Sequence, residues 1–263
     1  DKEPESSVLY LVGTPIGNLG DISHRAINIL KNVDLIACED TRITKKLINK
    51  YKIKNNLISF NKFNSSKRIP KLIENLKEAK SIALVSDAGM PSICDPGEEL
   101  VNSIKSNGFS IICIPGPCAA LVALVASGFP SSKFIFEGFL PRKKIEREKI
   151  LFEISKNEKT TIIYESPHRL TKLLRELKKY CEGSREINIS RELTKKYEEH
   201  ICTNLDNAID YFENANILGE YTLILKGKKK DDAKIYDELI IKKDLHELVE
   251  AGLSLSAASK YLA

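Results

Sequence analysis

The stretch LYLVGTPIGNLGD, residues 9–21, places an apolar run directly before a loop that contains Gly13, Pro15 and Gly17. An apolar strand that enters a glycine loop and then a helix is typical of nucleotide-binding α/β folds. The loop matches neither G-x-G-x-x-G nor a P-loop, because no Lys-Ser or Lys-Thr pair follows it. The stretch therefore predicts an α/β sheet and leaves open what its first loop binds.

The composition limits the class of protein. A chain of 263 residues is long enough for two domains, and no apolar run approaches the ~20 residues of a membrane span. Six cysteines without a C-x-x-C pair and four dispersed histidines favour a cytoplasmic protein with free thiols and no metal site. A formal charge of +5 permits an anionic partner such as RNA but does not require one.

The pattern of apolar runs predicts two α/β domains and a tail. Runs at 8–13, 33–38, 57–60, 81–86 and 109–114 alternate with helical patterns, which indicates parallel βαβ units. After a break at 115–117 and an apolar run at 118–128, strands are predicted again at 134–139, 160–164, 186–190 and 221–225. The predicted domains are 8–116 and 117–226, followed by a linker and partial helical tail, 227–263, whose two helices separate at Gly252.

Ligands of open parallel sheets bind in the loops that follow the carboxyl ends of the strands. One such loop, SDAGMPSICDPG at 86–97, is stiffened by proline and could hold a polar zwitterion through its main chain. It could equally be a double turn with Asp87 or Asp95 as a helix cap. The loop IPGPCAA at 114–120 allows a ligand close to its backbone, or serves only as an interdomain connector.

The loop CEDTR, residues 38–42, brings two carboxylates and an arginine to the end of another predicted strand. Asp40 could accept a hydrogen bond from a substrate hydroxyl, and Arg42 could pair with a phosphate. The same residues are typical of a helix N-terminus, in which Asp40 would cap a helix that begins at Thr41. Both interpretations stay open at the level of sequence.

Two further polar segments follow strands of the second domain. In ESPHR, 165–169, the proline occupies the favoured first turn of a predicted helix. The polar residues around it could bind an anion at the helix N-terminus, or Ser166 could simply cap the helix. SRELTKKYEE, 190–199, either brings Arg191 and Lys195 to a ligand or forms the charged surface of a helix. No G-x-S-x-G motif is present for a serine nucleophile.

Taken together, these segments resemble one family. In order and approximate spacing they are similar to the ribosomal RNA small subunit methyltransferase I family, a branch of the tetrapyrrole (precorrin) methylase superfamily. The resemblance covers residues 8 to about 226, and the tail resembles the family's short helical C-terminal domain. It is carried by LVGTPIGNLGD, ACEDTR, SDAGMPSICDPG, PGPCAAL, EGFLPRK, YESPHR and SRELTKKYEE.

The resemblance implies two α/β domains of the tetrapyrrole methylase type, with S-adenosylmethionine in the interdomain cleft. It implies 2′-O-methylation of the ribose of a cytidine, expected to be cytidine 1402, in the decoding region of 16S ribosomal RNA. It also implies a cytoplasmic homodimer without a metal. S-adenosylmethionine has no phosphate, which explains the absence of the dinucleotide fingerprint from the first loop. The alternatives are a small-molecule, tetrapyrrole-type methyltransferase and a non-enzymatic RNA-binding factor.

The resemblance also assigns roles by matching motif. Two positions depart from the family, because Cys94 and Cys118 stand where relatives commonly carry serine, and a thiol is the weaker hydrogen-bond donor. The segment PRKKIEREK, 141–149, either contacts RNA or is only a solvated helix face. The cofactor residues implied are Ile16, Gly17, Asp87, Ala88, Gly89, Ile93, Cys118, Ala119, Tyr164, Leu193 and Thr222. The candidate general bases are Asp40, Glu165 and His168. The candidate RNA-binding residues are Arg42, Arg142, Lys143, Arg169, Arg191 and Lys195.

Overall fold

The computed structural model describes residues 3–229 and 238–262. Its first half is a five-stranded sheet in the order β3-β2-β4-β1-β5, in which every neighbouring pair is parallel, as the sequence predicts. Its elements are β1 (Val8–Val12), α1 (His24–Asn32), β2 (Leu35–Cys38), α2 (Thr41–Lys50), β3 (Leu57–Ser59), α3 (Ser65–Lys77), β4 (Ile82–Val85), α4 (Glu98–Ser106) and β5 (Ser110–Ile114).

This sheet is buried on both faces, which explains why β1 and β4 read as unbroken apolar runs. One face packs around Tyr10 and Ile36, and the other around Leu84. Helix α1 buries apolar residues at helical spacing, and Ser23 caps it by accepting a hydrogen bond from the backbone N–H of Ala26 (3.0 Å). All parallel strands therefore end at one edge, where the loops with unusual sequences meet.

The second half contains a mixed sheet in the order β6-β7-β10-β8-β9, in which only β6 and β7 pair in parallel. Strand β9 and helix α8 are not among the elements predicted from the sequence, because β9 is an edge strand with mostly polar side chains. The elements are α5 (Ala119–Ser127), β6 (Phe134–Phe139), α6 (Lys144–Lys156), β7 (Thr160–Glu165), α7 (Pro167–Tyr180), β8 (Glu186–Arg191), β9 (Glu199–Asn204), α8 (Leu205–Glu213) and β10 (Tyr221–Leu225).

The prediction of a charged helix surface for 190–199 is wrong. Residues 192–198 form the turn between β8 and β9, and Glu192 and Thr194 adopt positive φ angles that interrupt a helix. The tail contains the two expected helices, α9 (Glu238–Glu250) and α10 (Leu255–Leu262), separated at Gly252 with φ +97°. The predicted linker reaches residues 230–237, which lie outside the described part of the chain. Among the described residues, no helix is both long and apolar enough to span a membrane.

Candidate active site

A cavity of about 500 Å³ lies where loops of the two halves meet, at the carboxyl ends of the first sheet. Its lining includes every residue assigned above to the cofactor except Gly17, which borders an adjoining cavity of about 290 Å³. Both halves contribute to its wall: Ile16, Glu39, Asp87, Ala88, Gly89, Met90, Ile93, Cys94, Asp95, Cys118, Ala119, Phe139, Tyr164, Glu165, Ser166, Pro167, Leu193, Glu220, Tyr221 and Thr222.

Backbone contacts between loops shape one side of this cavity. Thr14 and Gly89 exchange backbone hydrogen bonds of 2.9 and 3.1 Å, so the first loop is paired with the loop after β4. Gly89 has φ +79°, a conformation that glycine adopts without strain. Gly13 packs against the turn after β5, because a Cβ on Gly13 would stand 2.6 Å from the Cα of Gly116. Three loops are thus held together as one wall.

Aromatic side chains form the opposite wall. The Tyr164 ring meets Phe136 and Phe139 edge-on, at centroid distances of 5.2 and 5.5 Å. The Tyr164 hydroxyl accepts a hydrogen bond from the backbone N–H of Ala120 (2.9 Å), at the start of α5. Burial raises the pKa of Tyr164 well above its usual value, so the phenol stays neutral. This wall can hold a flat, partly apolar group.

Of the carboxylates that line the same cavity, three come from the first half of the chain: Glu39, Asp87 and Asp95. Burial raises the pKa of each of them, and neighbouring carboxylates add to the rise. Asp87 also accepts a hydrogen bond from the backbone N–H of Asp40 (3.0 Å). Sequence reasoning did not assign Glu39 or Asp95 to the site, although both follow strands that end at this edge. Asp95 is not the cap of α4, since Gly97 occupies that position.

The three candidate bases have different environments. Asp40 caps α2, where it accepts a hydrogen bond from the Arg42 backbone N–H (2.8 Å) and pairs with the Arg42 guanidinium at 2.6 Å. That arginine lowers the pKa of Asp40 to about 2. Neither Asp40 nor His168 lines the cavity, and His168 is exposed on α7. Only Glu165 reaches the cavity wall.

Glu165 is buried between two guanidinium groups. Its Oε1 accepts hydrogen bonds from the Ser166 backbone N–H (2.9 Å) and lies 3.2 Å from Arg169 Nε, while Oε2 lies 3.6 Å from Arg147 Nη2. Arg147 also pairs with Glu176 at 2.7 Å. Arg147 is only 5% exposed, so the interpretation of 141–149 as a solvated helix face is wrong at this residue. The network fixes the start of α7 against α6.

The candidate RNA-binding residues fall into two groups. Three of them are only partly exposed and are held by partners inside the protein: besides Arg169, Arg191 donates to the Leu218 carbonyl (2.8 Å), and Lys195 pairs with Glu192 and Glu220 at 2.9 and 2.7 Å. Arg42, Arg142 and Lys143 are exposed, although Arg42 pairs with Asp40 as described above and Lys143 pairs with Glu146 at 3.3 Å. Among the described residues, no group of three or more His, Cys, Asp or Glu side chains is arranged to hold a metal ion.

Comparison with known proteins gives consistent results. The family model for Tetrapyrrole (Corrin/Porphyrin) Methylases matches residues 8–209. A protein named Ribosomal RNA small subunit methyltransferase I from Thermotoga maritima is 49% identical over 84% of this chain and 99% of its own. A protein of the same name from Bacillus subtilis is 44% identical over 97% of this chain and 87% of its own. Another from Synechocystis is 41% identical over 97% of this chain and 92% of its own.

Solved structures show the same fold at low sequence identity. A cobalt precorrin-4 methyltransferase is 16% identical with a TM-score of 0.63, covering 84% of this chain and 95% of its own. Uroporphyrin-III C-methyltransferase from Thermus thermophilus, complexed with S-adenosyl homocysteine, is 16% identical with a TM-score of 0.57. The match covers 83% of this chain and 96% of its own. The two α/β halves with a helical tail are therefore the tetrapyrrole methylase fold.

Proposed function

This chain belongs to the ribosomal RNA small subunit methyltransferase I family, and we propose that it methylates the ribose 2′-hydroxyl of a cytidine in 16S ribosomal RNA. The expected target is cytidine 1402 in the decoding region, and the methyl donor is S-adenosylmethionine. One observation carries the proposal: segments that are dispersed along the sequence and typical of this family line one cleft.

The side chains of the cleft fit this donor. S-adenosylmethionine supplies a methyl group already activated by a sulfonium cation. Glu39, Asp87 and Asp95 provide the negative charge that suits a cation, while Phe139 and Tyr164 offer faces for a flat ring. The carboxylate pKa values are raised in the protein alone, and a cation beside them favours their ionised forms. The remaining residues that would hold the donor are those assigned to it from the sequence.

Methyl transfer to a ribose hydroxyl requires alignment and a proton acceptor. Alignment of the reacting atoms can supply ~7–11 kcal/mol of the barrier. For the acceptor we favour Asp95, because it borders both this cleft and a second cavity, of about 490 Å³, beside it. Its raised pKa makes it a stronger base than Asp40, whose charge is neutralised by Arg42. Glu165 we assign to positioning, since two guanidinium groups already hold its carboxylate.

The relatives favour RNA over a tetrapyrrole as substrate. The three ribosomal RNA small subunit methyltransferase I proteins described above share 41–49% identity with this chain, whereas the precorrin and uroporphyrin enzymes described above share 16%. The net charge of +5 is compatible with an RNA substrate. We further propose a cytoplasmic homodimer. Helix α5 is apolar except for Ser127, yet Leu121 and Val125 are 49% and 79% exposed, and a second copy would cover this face.

A methyl-transfer assay tests the proposed reaction. The protein is incubated with labelled S-adenosylmethionine and either unmodified small ribosomal subunits or their extracted RNA, and the RNA is then digested with alkali. A 2′-O-methyl group protects the adjacent phosphodiester, so we expect the label in an alkali-resistant dinucleotide that begins with cytidine.

Three other results would contradict the proposal. Label released as a mononucleotide means that a base, not a ribose, is methylated. Absence of label from every RNA, with cofactor binding intact, favours the small-molecule methyltransferase. RNA binding without any turnover favours the non-enzymatic factor.

A further inference from the structure

The loop after β3, residues 60–64, displays one aromatic side chain in solvent. Phe63 is 98% exposed, whereas its neighbour Phe60 is buried in the core of the first sheet. An exposed phenyl ring gains nothing from the fold, since it buries no apolar surface. The loop therefore presents a ring that is available to a partner.

This loop is held in place by its own asparagines. The Asn61 side chain accepts a hydrogen bond from the Phe63 backbone N–H (3.0 Å), and the Asn64 side chain accepts one from the Asn61 backbone N–H (2.8 Å). Both amide groups also donate to Ser59. Ser65 donates to Glu99 (3.0 Å), which ties the loop to the start of α4. A loop backbone fixed this way loses little freedom when a partner stacks on its exposed ring.

Three cations flank the ring along the chain. Lys62 precedes it, and Lys67 and Arg68 follow on the first turn of α3. Within the described part of the chain, none of these three cations belongs to an ion pair. An exposed aromatic ring between unpaired cations is the arrangement with which proteins bind single-stranded nucleic acid, the ring stacking on a base and the cations meeting phosphates.

The loop also adjoins the candidate active site. Phe60, Lys62 and Ser65 line the cavity of about 490 Å³ that shares Cys94 and Asp95 with the cofactor cleft. Lys62 lines this cavity together with Cys94 and Asp95, so its ammonium opposes the rise that burial causes in the pKa of both groups. A strand that follows this cavity would pass from Phe63 to the reacting carboxylate.

We propose that Phe63, with Lys62, Lys67 and Arg68, forms a stacking platform for an unpaired nucleobase beside the nucleotide that is methylated. The platform rests on the proposed function, because it gives that site a way to hold single-stranded RNA. Phe63 takes no part in the chemistry. It anchors a neighbouring base so that the ribose of the target reaches Asp95.

The test compares single-stranded and double-stranded RNA. Binding of Phe63→Ala is measured by fluorescence anisotropy with a labelled single-stranded RNA of about 12 nucleotides, and again with the same RNA annealed to its complement. We expect roughly tenfold weaker binding to the single strand, because a base–aromatic stack is lost, and unchanged binding to the duplex. Phe63→Trp should bind the single strand as tightly as wild type. Lys62→Gln should lower the slope of log Kd against log salt concentration by about 0.7, because one phosphate contact is lost.

Phe152→Ala is the matched control, because Phe152 is 50% exposed on α6 and does not line the cavities described above. Equal single-strand binding by the two alanine variants would overturn the platform, as would an equal loss on duplex and single strand. The methyl-transfer assay of the wild-type protein separates the two proposals. If the wild-type protein methylates RNA and Phe63→Ala has the same KM for that RNA, the platform alone is rejected. If single-stranded RNA binding depends on Phe63 but the wild-type protein methylates no RNA, the proposed function alone is rejected.

Discussion

Asp40 and Asp95 follow neighbouring strands of the first sheet and differ in what surrounds their charge. The Arg42 guanidinium pairs with Asp40 and keeps it ionised, whereas burial and the nearby Asp87 disfavour the charge on Asp95. A carboxylate with a raised pKa accepts a proton more readily near neutral pH. At the scale of single residues, environment rather than residue type therefore selects the proposed base.

Asp95→Asn tests this assignment through both activity and stability. We expect methyl transfer to fall ~100-fold, whereas cofactor binding should weaken only slightly, because Glu39 and Asp87 keep their charge in the cleft. The folded-state pKa of Asp95 lies above the ordinary value of 3.8, so its stabilising contribution is present below that pH and is lost as pH rises through the folded pKa. The variant should therefore melt at a higher temperature than wild type at pH 7, and the difference should vanish near pH 3. A wild-type rate in the variant would exclude Asp95 as the base.

Glu165→Gln should act on stability first. The substitution leaves Arg147 and Arg169 beside a neutral partner, and breaking a buried pair costs ~3–5 kcal/mol. Urea unfolding measures this cost. Glu176→Gln is the control with a smaller expected loss, because Glu176 is partly exposed and Arg147 keeps Glu165. An inactive Glu165→Gln protein of wild-type stability would instead assign Glu165 to the chemistry.

At the scale of elements, the site depends on how closely loops approach each other. The loops after β1, β4 and β5 meet through the Thr14–Gly89 bridge and the contact between Gly13 and Gly116. These contacts bring Ile16, Ala88 and Cys118 to one cavity. The small size of these glycines is thus required for the packing of the loops.

Gly13→Ala should separate these loops. The new Cβ would lie 2.6 Å from the Gly116 Cα and 2.7 Å from Met90 Sδ, so we expect a loss of about 3 kcal/mol in unfolding free energy and weaker cofactor binding. Gly108→Ala is the control. A Cβ there meets no atom within 4 Å, and the positive φ of +78° alone should cost about 1 kcal/mol. Equal losses in the two variants would refute the close contact.

At the scale of the whole molecule, helix α5 connects the two halves. It begins in the cofactor cleft at Ala119 and buries Ala123 and Leu124 in a cluster with Ile162 and Ile224 of the second sheet. Ile16 of the first loop packs against the same cluster. The cleft therefore keeps its shape only while both halves remain packed on this helix.

Leu124→Ala should weaken cofactor binding as well as stability. Removing this buried side chain costs ~2–5 kcal/mol and loosens the cluster that supports the cleft. Leu177→Ala, in the separate core of the second half, should cost a similar amount of stability and leave the cofactor Kd of the folded protein unchanged. Calorimetric titration below the melting temperature measures the Kd. Equal Kd values for both variants would argue against coupling through α5.

Particular residues mark the limit of what the sequence predicts. The parallel first sheet, the two-part organisation and the positions of the binding loops follow from apolar periodicity and from motifs that resemble one family. The turn at 192–198 and strand β9 were not predicted, because left-handed residues and a polar edge strand leave no periodic signal. The burial of Arg147 was also not predicted, because its carboxylate partners lie far along the chain.

The sequence by itself determined the fold class and the family, and it pointed to the loops that line the proposed cofactor cleft, because strand periodicity and short motifs are local properties. Only the tertiary structure decided which acid faces the cleft, which arginines are already paired and which aromatic ring stands in solvent. Those properties depend on burial and on charges brought together from distant segments. Residues adjacent in sequence do not predict such long-range contacts. The surroundings of Asp40, Glu165 and Phe63 therefore became known only from the folded chain.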